Sequence, residues 1–129
     1  MMTIATRFGI RYPLIQGGMA NIATAQLAAA VSNAGGLGLV GAGGMSVEML
    51  RDNIRRCREL TPNRFGVNLM LMHPLIEEMA KLVVEERVDF VTTGAGNPAK
   101  YIEAWKAAGM TVVPVVPSVA LAKRMERAG

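Results

Sequence analysis

The chain has 129 residues, 51% of them apolar and 19% charged, and carries a net charge of +4; this balance describes a well-cored globular domain and excludes a disordered or fibrous chain. The single cysteine, Cys57, excludes an internal disulfide, and no stretch reaches the roughly 18 uninterrupted apolar residues of a membrane span. The N-terminus MMTIATRFGIRYPL lacks the basic flank, long apolar core and small-residue cleavage site of a signal peptide, so a cytoplasmic location is expected.

In chain order, the run YPLIQ predicts a first strand, and it hands over to the glycine-rich turn QGGMA. Glycines at a strand end let the backbone come close to something else, and a flat, phosphate-bearing ligand is one candidate. A first helix follows from the N-cap Thr24 to Ala34, with Leu27, Val31 and Ala34 on one face and Gly35 as its stop. GLGLVG reads as the second strand. A helix opening at Ser46 carries Val47, Leu50, Ile54 and Cys57 at spacings of three or four, which makes Cys57 a buried small apolar residue and not a reactive thiol. The basic run Arg55-Arg56-Cys57-Arg58 on that helix has Glu48, Asp52 and Glu59 nearby and no interleaved aromatic residue; it reads as a solvated face, and nucleic acid is not an expected partner.

The third strand, FGVNLM, alternates Phe65, Val67 and Leu69 with Gly66, Asn68 and Met70, so Asn68 lies opposite the bulky set. His73 in the next loop reads as solvent-exposed and without a catalytic role. The third helix has Pro74 in its first turn and buries Leu75, Met79 and Leu82 or Val83. DFVTTG is the fourth strand, followed by a helix with Asn97 as N-cap, Pro98 at N1, and Tyr101, Ile102 and Trp105 before Gly109. TVVPVV is the fifth, with Pro114 suited to its last residues because it removes a ladder donor. A final helix, capped by Ser118, places Leu121, Ala122 and Met125 on one side.

Five strand–helix units imply an α/β fold with parallel strands and right-handed crossovers. Two architectures fit that pattern: an open doubly wound sheet, and a (β/α)8 TIM barrel, which needs roughly 250 residues. The turn QGGMANIATAQ lacks the Gly-x-Gly-x-x-Gly spacing of a dinucleotide-binding open sheet. If the chain is a barrel, Asn68 faces its axis near the C-terminal mouth.

The segments YPLIQGGMA, LAAAVSNAGGLGLVGAGG, FGVNLML, VTTGAGNPAKY and VVPVVPSVALAKRME, in that order, resemble the FMN-dependent enoyl-acyl-carrier-protein reductases of bacterial fatty-acid synthesis, in the nitronate monooxygenase superfamily. The resemblance implies that residues 1–129 are the N-terminal portion of one FMN-binding barrel, its first five β/α units, with no second domain. It also implies hydride transfer from NADH or NADPH through FMN to a trans-2-enoyl thioester on acyl carrier protein, in a homodimeric enzyme without a metal. Carried onto this sequence, the cofactor-binding residues are Gly17, Gly18 and Met19, Asn68, and Thr93, Gly94, Ala95 and Gly96. Asn21 stands where such reductases often have tryptophan. The catalytic histidine and the phosphate-binding turns of the family are expected beyond Gly129, so the 129 residues alone are expected to be inactive. Two alternatives stay open: a nitronate monooxygenase, which uses oxygen on a small nitronate, and a non-catalytic half-barrel module.

Overall fold

The computed structural model describes residues 1–129 and contains six helices and four strands. In chain order these are α1 (Ile4–Phe8), α2 (Ala25–Ala34), β1 (Gly38–Gly41), α3 (Val47–Leu60), β2 (Phe65–Met70), α4 (Ile76–Glu85), β3 (Phe90–Gly94), α5 (Ala99–Ala107), β4 (Thr111–Pro114) and α6 (Val119–Ala128), with a 3-10 turn at Ala42–Gly44. The strands form one sheet in the order β1-β2-β3-β4, and every pairing is parallel.

Register explains the two faces of the sheet. Val40, Val67, Val91 and Val112 are paired across it and point to the helix side, where the first three are fully buried with Leu50, Ile54, Cys57 and Met79. One residue earlier, Leu39, Gly66, Phe90 and Thr111 are paired and point the other way. There Leu39 and Phe90 meet Leu37 and Phe8, which α1 carries in; the Phe8 and Phe90 rings lie 5.0 Å apart. The short α1 is absent from the sequence reading, although both of its ends are signalled. The Thr3 hydroxyl accepts from the Thr6 amide at 3.1 Å, and Gly9 ends the helix in the left-handed region at φ 65°.

The first expected strand contracts to a single parallel bridge between Ile15 and Leu37. Leu37 donates to the Leu14 carbonyl at 2.9 Å and Gln16 donates to the Leu37 carbonyl at 3.0 Å. The backbone then leaves the sheet and the Gln16 side chain takes over the ladder. Its Oε1 accepts from the Leu39 amide at 3.1 Å and its Nε2 donates to the Leu39 carbonyl at 3.2 Å. A carboxamide carries the same donor and acceptor as a peptide, so β1 finds its partners without a continuous neighbour.

The expected face of α2 is also corrected. The helix buries Ala25, Ala28, Ala29 and Ser32, while Leu27 and Val31 are half-buried and Ala34 is exposed. Small residues win because α2 lies almost on β1: a Cβ at Gly38 would stand 2.5 Å from the Ala28 carbonyl carbon and closer still to its oxygen. The Gly38 amide, buried by that approach, donates to the Ser32 hydroxyl at 3.0 Å.

The remaining helices follow their signals more closely. Ser46 and Ser118 accept from Met49 and Leu121 as caps, at 3.1 and 3.2 Å. Asn97 caps the start of α5 by accepting from the Ala99 amide at 3.0 Å. Leu75, expected in the core, is exposed at the start of α4, and Ala122 is exposed on α6, which buries Met125 alone. Trp105 is buried and donates from Nε1 to the Ala80 carbonyl at 3.0 Å, joining α5 to α4. The basic run on α3 is a solvated face, as expected, with Arg55, Arg56 and Arg58 46–58% exposed, and it is held by ion pairs. Arg51, Arg55 and Arg58 converge on Glu86, whose side chain is only 9% exposed, and Arg56 pairs with Glu59. Hydrogen bonding to Arg55 holds the Glu86 carboxyl below the usual glutamate range, against the opposing effect of desolvation.

Candidate active site at the strand ends

Parallel strands followed by outer helices leave their connecting loops together at the C-terminal ends of the strands, where folds of this kind place their chemistry. Three expected segments meet at this end of the sheet. The QGGMA turn leaves the Ile15 bridge, Asn68 stands two residues from the end of β2, and Gly94-Ala95-Gly96 leaves β3.

The first two are in direct contact. A Cβ at Gly18 would stand 2.5 Å from Asn68 Cγ and 2.7 Å from its Nδ2, so the turn lies over the asparagine at a distance that no other residue permits. Met19 packs its backbone in the same way on Gly41 at the end of β1, where a Cβ would stand 2.8 Å from the Met19 carbonyl oxygen. Released from the sheet, the amides of Gly17, Gly18, Met19 and Ala20 make no hydrogen bond within the chain. The result is a run of exposed donors beside an exposed methionine side chain.

Asn68 faces away from the helices, as its place opposite Val67 and Leu69 requires, and is half-buried. Its Oδ1 accepts from the Thr92 hydroxyl at 2.8 Å, a partner on the adjacent strand that the sequence reading did not single out. The signal was present in the TT pair of FVTTG, where period-2 alternation puts one threonine on each face. The expectation for Thr93 is corrected by the same alternation. Thr93 pairs with Leu69 and Pro114 on the helix side, is fully buried, and its hydroxyl has no partner, so its side chain is turned away from the loops.

After β3 the chain turns sharply. Ala95 has a left-handed φ of 55° and Gly96 follows at 152°, while a cavity of about 300 Å3 lies between Gly94-Ala95-Gly96 and Val115, Val116 and Pro117. Asn21 is also left-handed, at φ 64°, with its side chain against Gly44. His73 is less exposed than expected. It is half-buried, and its Nδ1 accepts from the Leu75 amide at 3.0 Å at the approach to α4. Met19, Ile22, Met72 and Val115, all on strand-end loops, are 40–77% exposed, so this end of the sheet carries exposed apolar side chains. No group of three His, Cys, Asp or Glu side chains is placed to hold a metal ion, and no helix is long and apolar enough to cross a membrane.

Comparison with known proteins agrees with this layout. The chain superimposes on FabK from Thermotoga maritima with a TM-score of 0.96 and 47% identity, covering 98% of this chain and 40% of that one. It superimposes on a nitroalkane oxidase from Streptomyces ansochromogenes with a TM-score of 0.88 and 25% identity, covering 98% and 46%. A probable nitronate monooxygenase of Staphylococcus aureus is 52% identical over 62 residues, which are 48% of this chain and 18% of the relative. The four-stranded parallel sheet with its outer helices is therefore part of a TIM barrel, as expected, and the chain spans less than half the length of these proteins. The family model for nitronate monooxygenase matches residues 2–84, and the chain belongs to that family.

Proposed function

We propose that this chain supplies the flavin-facing part of an FMN-dependent enoyl-thioester reductase, a cytoplasmic enzyme acting on trans-2-enoyl groups carried by acyl carrier protein. The observation that carries the reading is the QGGMA turn lying on Asn68, because it joins unpaired amide donors, a free carboxamide end and an apolar methionine in one shallow, glycine-floored surface. That surface fits a flat heteroaromatic ring with polar edges: the glycines admit it closely, the amides meet its acceptors, and Met19 and Val115 cover apolar area. Bound FMN supplies hydride transfer between NADH or NADPH and the enoyl double bond, chemistry that no side chain here supplies alone. Gly17, Gly18, Met19 and Asn68 would hold the ring, and Gly94, Ala95 and Gly96 would close the surface from the β3 side. Thr93 contributes backbone only, since its side chain faces the helices.

The reductase reading is favoured over nitronate oxidation by likeness along the chain. Identity is 47% to FabK and 25% to the nitroalkane oxidase, each over 98% of this chain. The second reading is supported by the family model over residues 2–84 and by the probable nitronate monooxygenases at 52% identity over 62 residues. One experiment separates them. The natural translation product containing this chain is loaded with FMN, desalted and assayed for NADH- or NADPH-dependent reduction of an enoyl thioester and for oxygen uptake with propyl nitronate. Enoyl reduction with retained flavin supports the reductase. Oxygen-dependent nitronate turnover without enoyl reduction selects the monooxygenase, and a colourless, inactive protein selects a non-catalytic barrel module. Size-exclusion chromatography of the same sample tests the expected homodimer.

A further inference from the structure

We infer that Thr92 is a positioning residue for the flavin site: its hydroxyl holds the Asn68 carboxamide in place, with Nδ2 toward the strand-end loops. The inference rests on the reading of Asn68 as a flavin contact. Asn68 and Thr92 are register partners on β2 and β3, both turned away from the helices. The Thr92 hydroxyl donates to Asn68 Oδ1 at 2.8 Å, and Thr92 is 4% exposed, so little water competes for that bond. On the other flank Asn68 is paired with Gly41, which has no side chain to contact it. Thr92 is therefore the one side chain hydrogen-bonded to the carboxamide. With Oδ1 occupied, Nδ2 is the free end, and it lies beneath Gly18, where a Cβ would stand 2.7 Å from it. The site thus presents a donor, and selects an acceptor atom on whatever lies against the QGGMA turn. Without the hydroxyl the carboxamide loses its one hydrogen-bonded restraint and turns about its side-chain torsions, so part of the population no longer aims Nδ2 at the ligand.

Thr92→Val keeps the shape of the side chain and removes only the hydroxyl; Thr92→Ser restores it. In the natural translation product containing this chain, FMN affinity is read by quenching of flavin fluorescence and thermal stability by melting without FMN. Thr92→Val is expected to weaken FMN binding about 5- to 10-fold with an unchanged melting temperature, as loss of one oriented hydrogen bond implies. Thr92→Ser should return within twofold of the parent. Wild-type FMN affinity in Thr92→Val, alongside weakened binding in Asn68→Ala, overturns the positioning role and leaves the flavin reading standing. Unchanged affinity in Asn68→Ala overturns both. Weak binding in Thr92→Val together with a lowered melting temperature, neither restored by serine, assigns Thr92 to packing and also overturns the inference.

Discussion

Replacing Gly18 by alanine tests the close approach on which the candidate site is built. The added Cβ would press on Asn68 Cβ and stand 2.5 Å from its Cγ, whereas ordinary contact begins at 3.4 Å; rotating the carboxamide leaves Asn68 Cβ where it is, so the turn must lift by about 1 Å. Lifting costs the site its geometry, because it carries the free amides of Gly17 to Ala20 together away from Asn68. Two or three hydrogen bonds to a ligand, each worth about 1 kcal/mol net, amount to about 2–3 kcal/mol, or roughly 30- to 150-fold in affinity. Fold stability should change by less than about 1 kcal/mol, because the turn is exposed and carries no buried apolar group. Gly43→Ala, outside the candidate site, is the matched control, since a Cβ there makes only an ordinary contact of 3.4 Å with Ala20 Cβ. Fluorescence titration with FMN, paired with urea unfolding of each variant, reads both quantities. Affinity within twofold of wild type in Gly18→Ala, or equal losses in Gly43→Ala and Gly18→Ala, would refute the reasoning.

Gly38→Ala should instead strike the fold. Its Cβ meets Ala28 backbone at 2.5 Å within a buried helix–strand contact, so α2 must retreat by about 1 Å and the Ser32 bond is lost; a destabilisation of about 3–5 kcal/mol by urea unfolding is expected. The Glu86 cluster predicts acid sensitivity. Because the folded carboxyl titrates below its unfolded value of about 4.3, its contribution is complete above that pH and is lost as pH falls through the lower folded value. Glu86→Gln should therefore flatten the loss of melting temperature on acidification while lowering stability at neutral pH, where Arg51, Arg55 and Arg58 lose their shared partner. Burial pushes the Cys57 thiol up to about 11, so a disulfide reagent at pH 8 should leave the folded protein unmodified and react fully once it is denatured.

Much of the fold was legible because its dominant signals are periodic. Alternation in FGVNLM placed Asn68 opposite Val67 and Leu69, and the three-and-four spacing of Leu50, Ile54 and Cys57 marked the face that α3 buries. What escaped the sequence was decided by neighbours distant along the chain. The stripe of Leu27, Val31 and Ala34 looked like the core face of α2 because size stands for burial in a single helix. Contact with a glycine strand reverses that ranking, and the alanines go inward. Thr92 and Thr93 are identical in composition and neighbours in sequence, yet one bonds Asn68 and the other is sealed among the helices. Family likeness marked the second of them as a site residue, and only the strand register separates the two. The bond from the Leu75 amide to His73 was not legible because a helix approach capped by an imidazole has no sequence pattern as plain as serine or asparagine.

The Gln16 side chain gives the molecule a joint. Where two strands zip together, moving one end strips hydrogen bonds from the other; here the rung at Leu39 is a side-chain amide hung from a residue that stays anchored at the Ile15–Leu37 bridge, and the next, from the Gly41 amide, goes to the Ala23 carbonyl beyond the turn. Displacement of Gly17 and Gly18 therefore leaves Leu39 paired, while the Met19 carbonyl, which accepts from the Ile22 and Ala23 amides, holds the far end of the turn. Amide exchange should show it as slow protection at Leu39 beside fast exchange at Gly18 and Met19, two neighbouring backbones keeping different clocks.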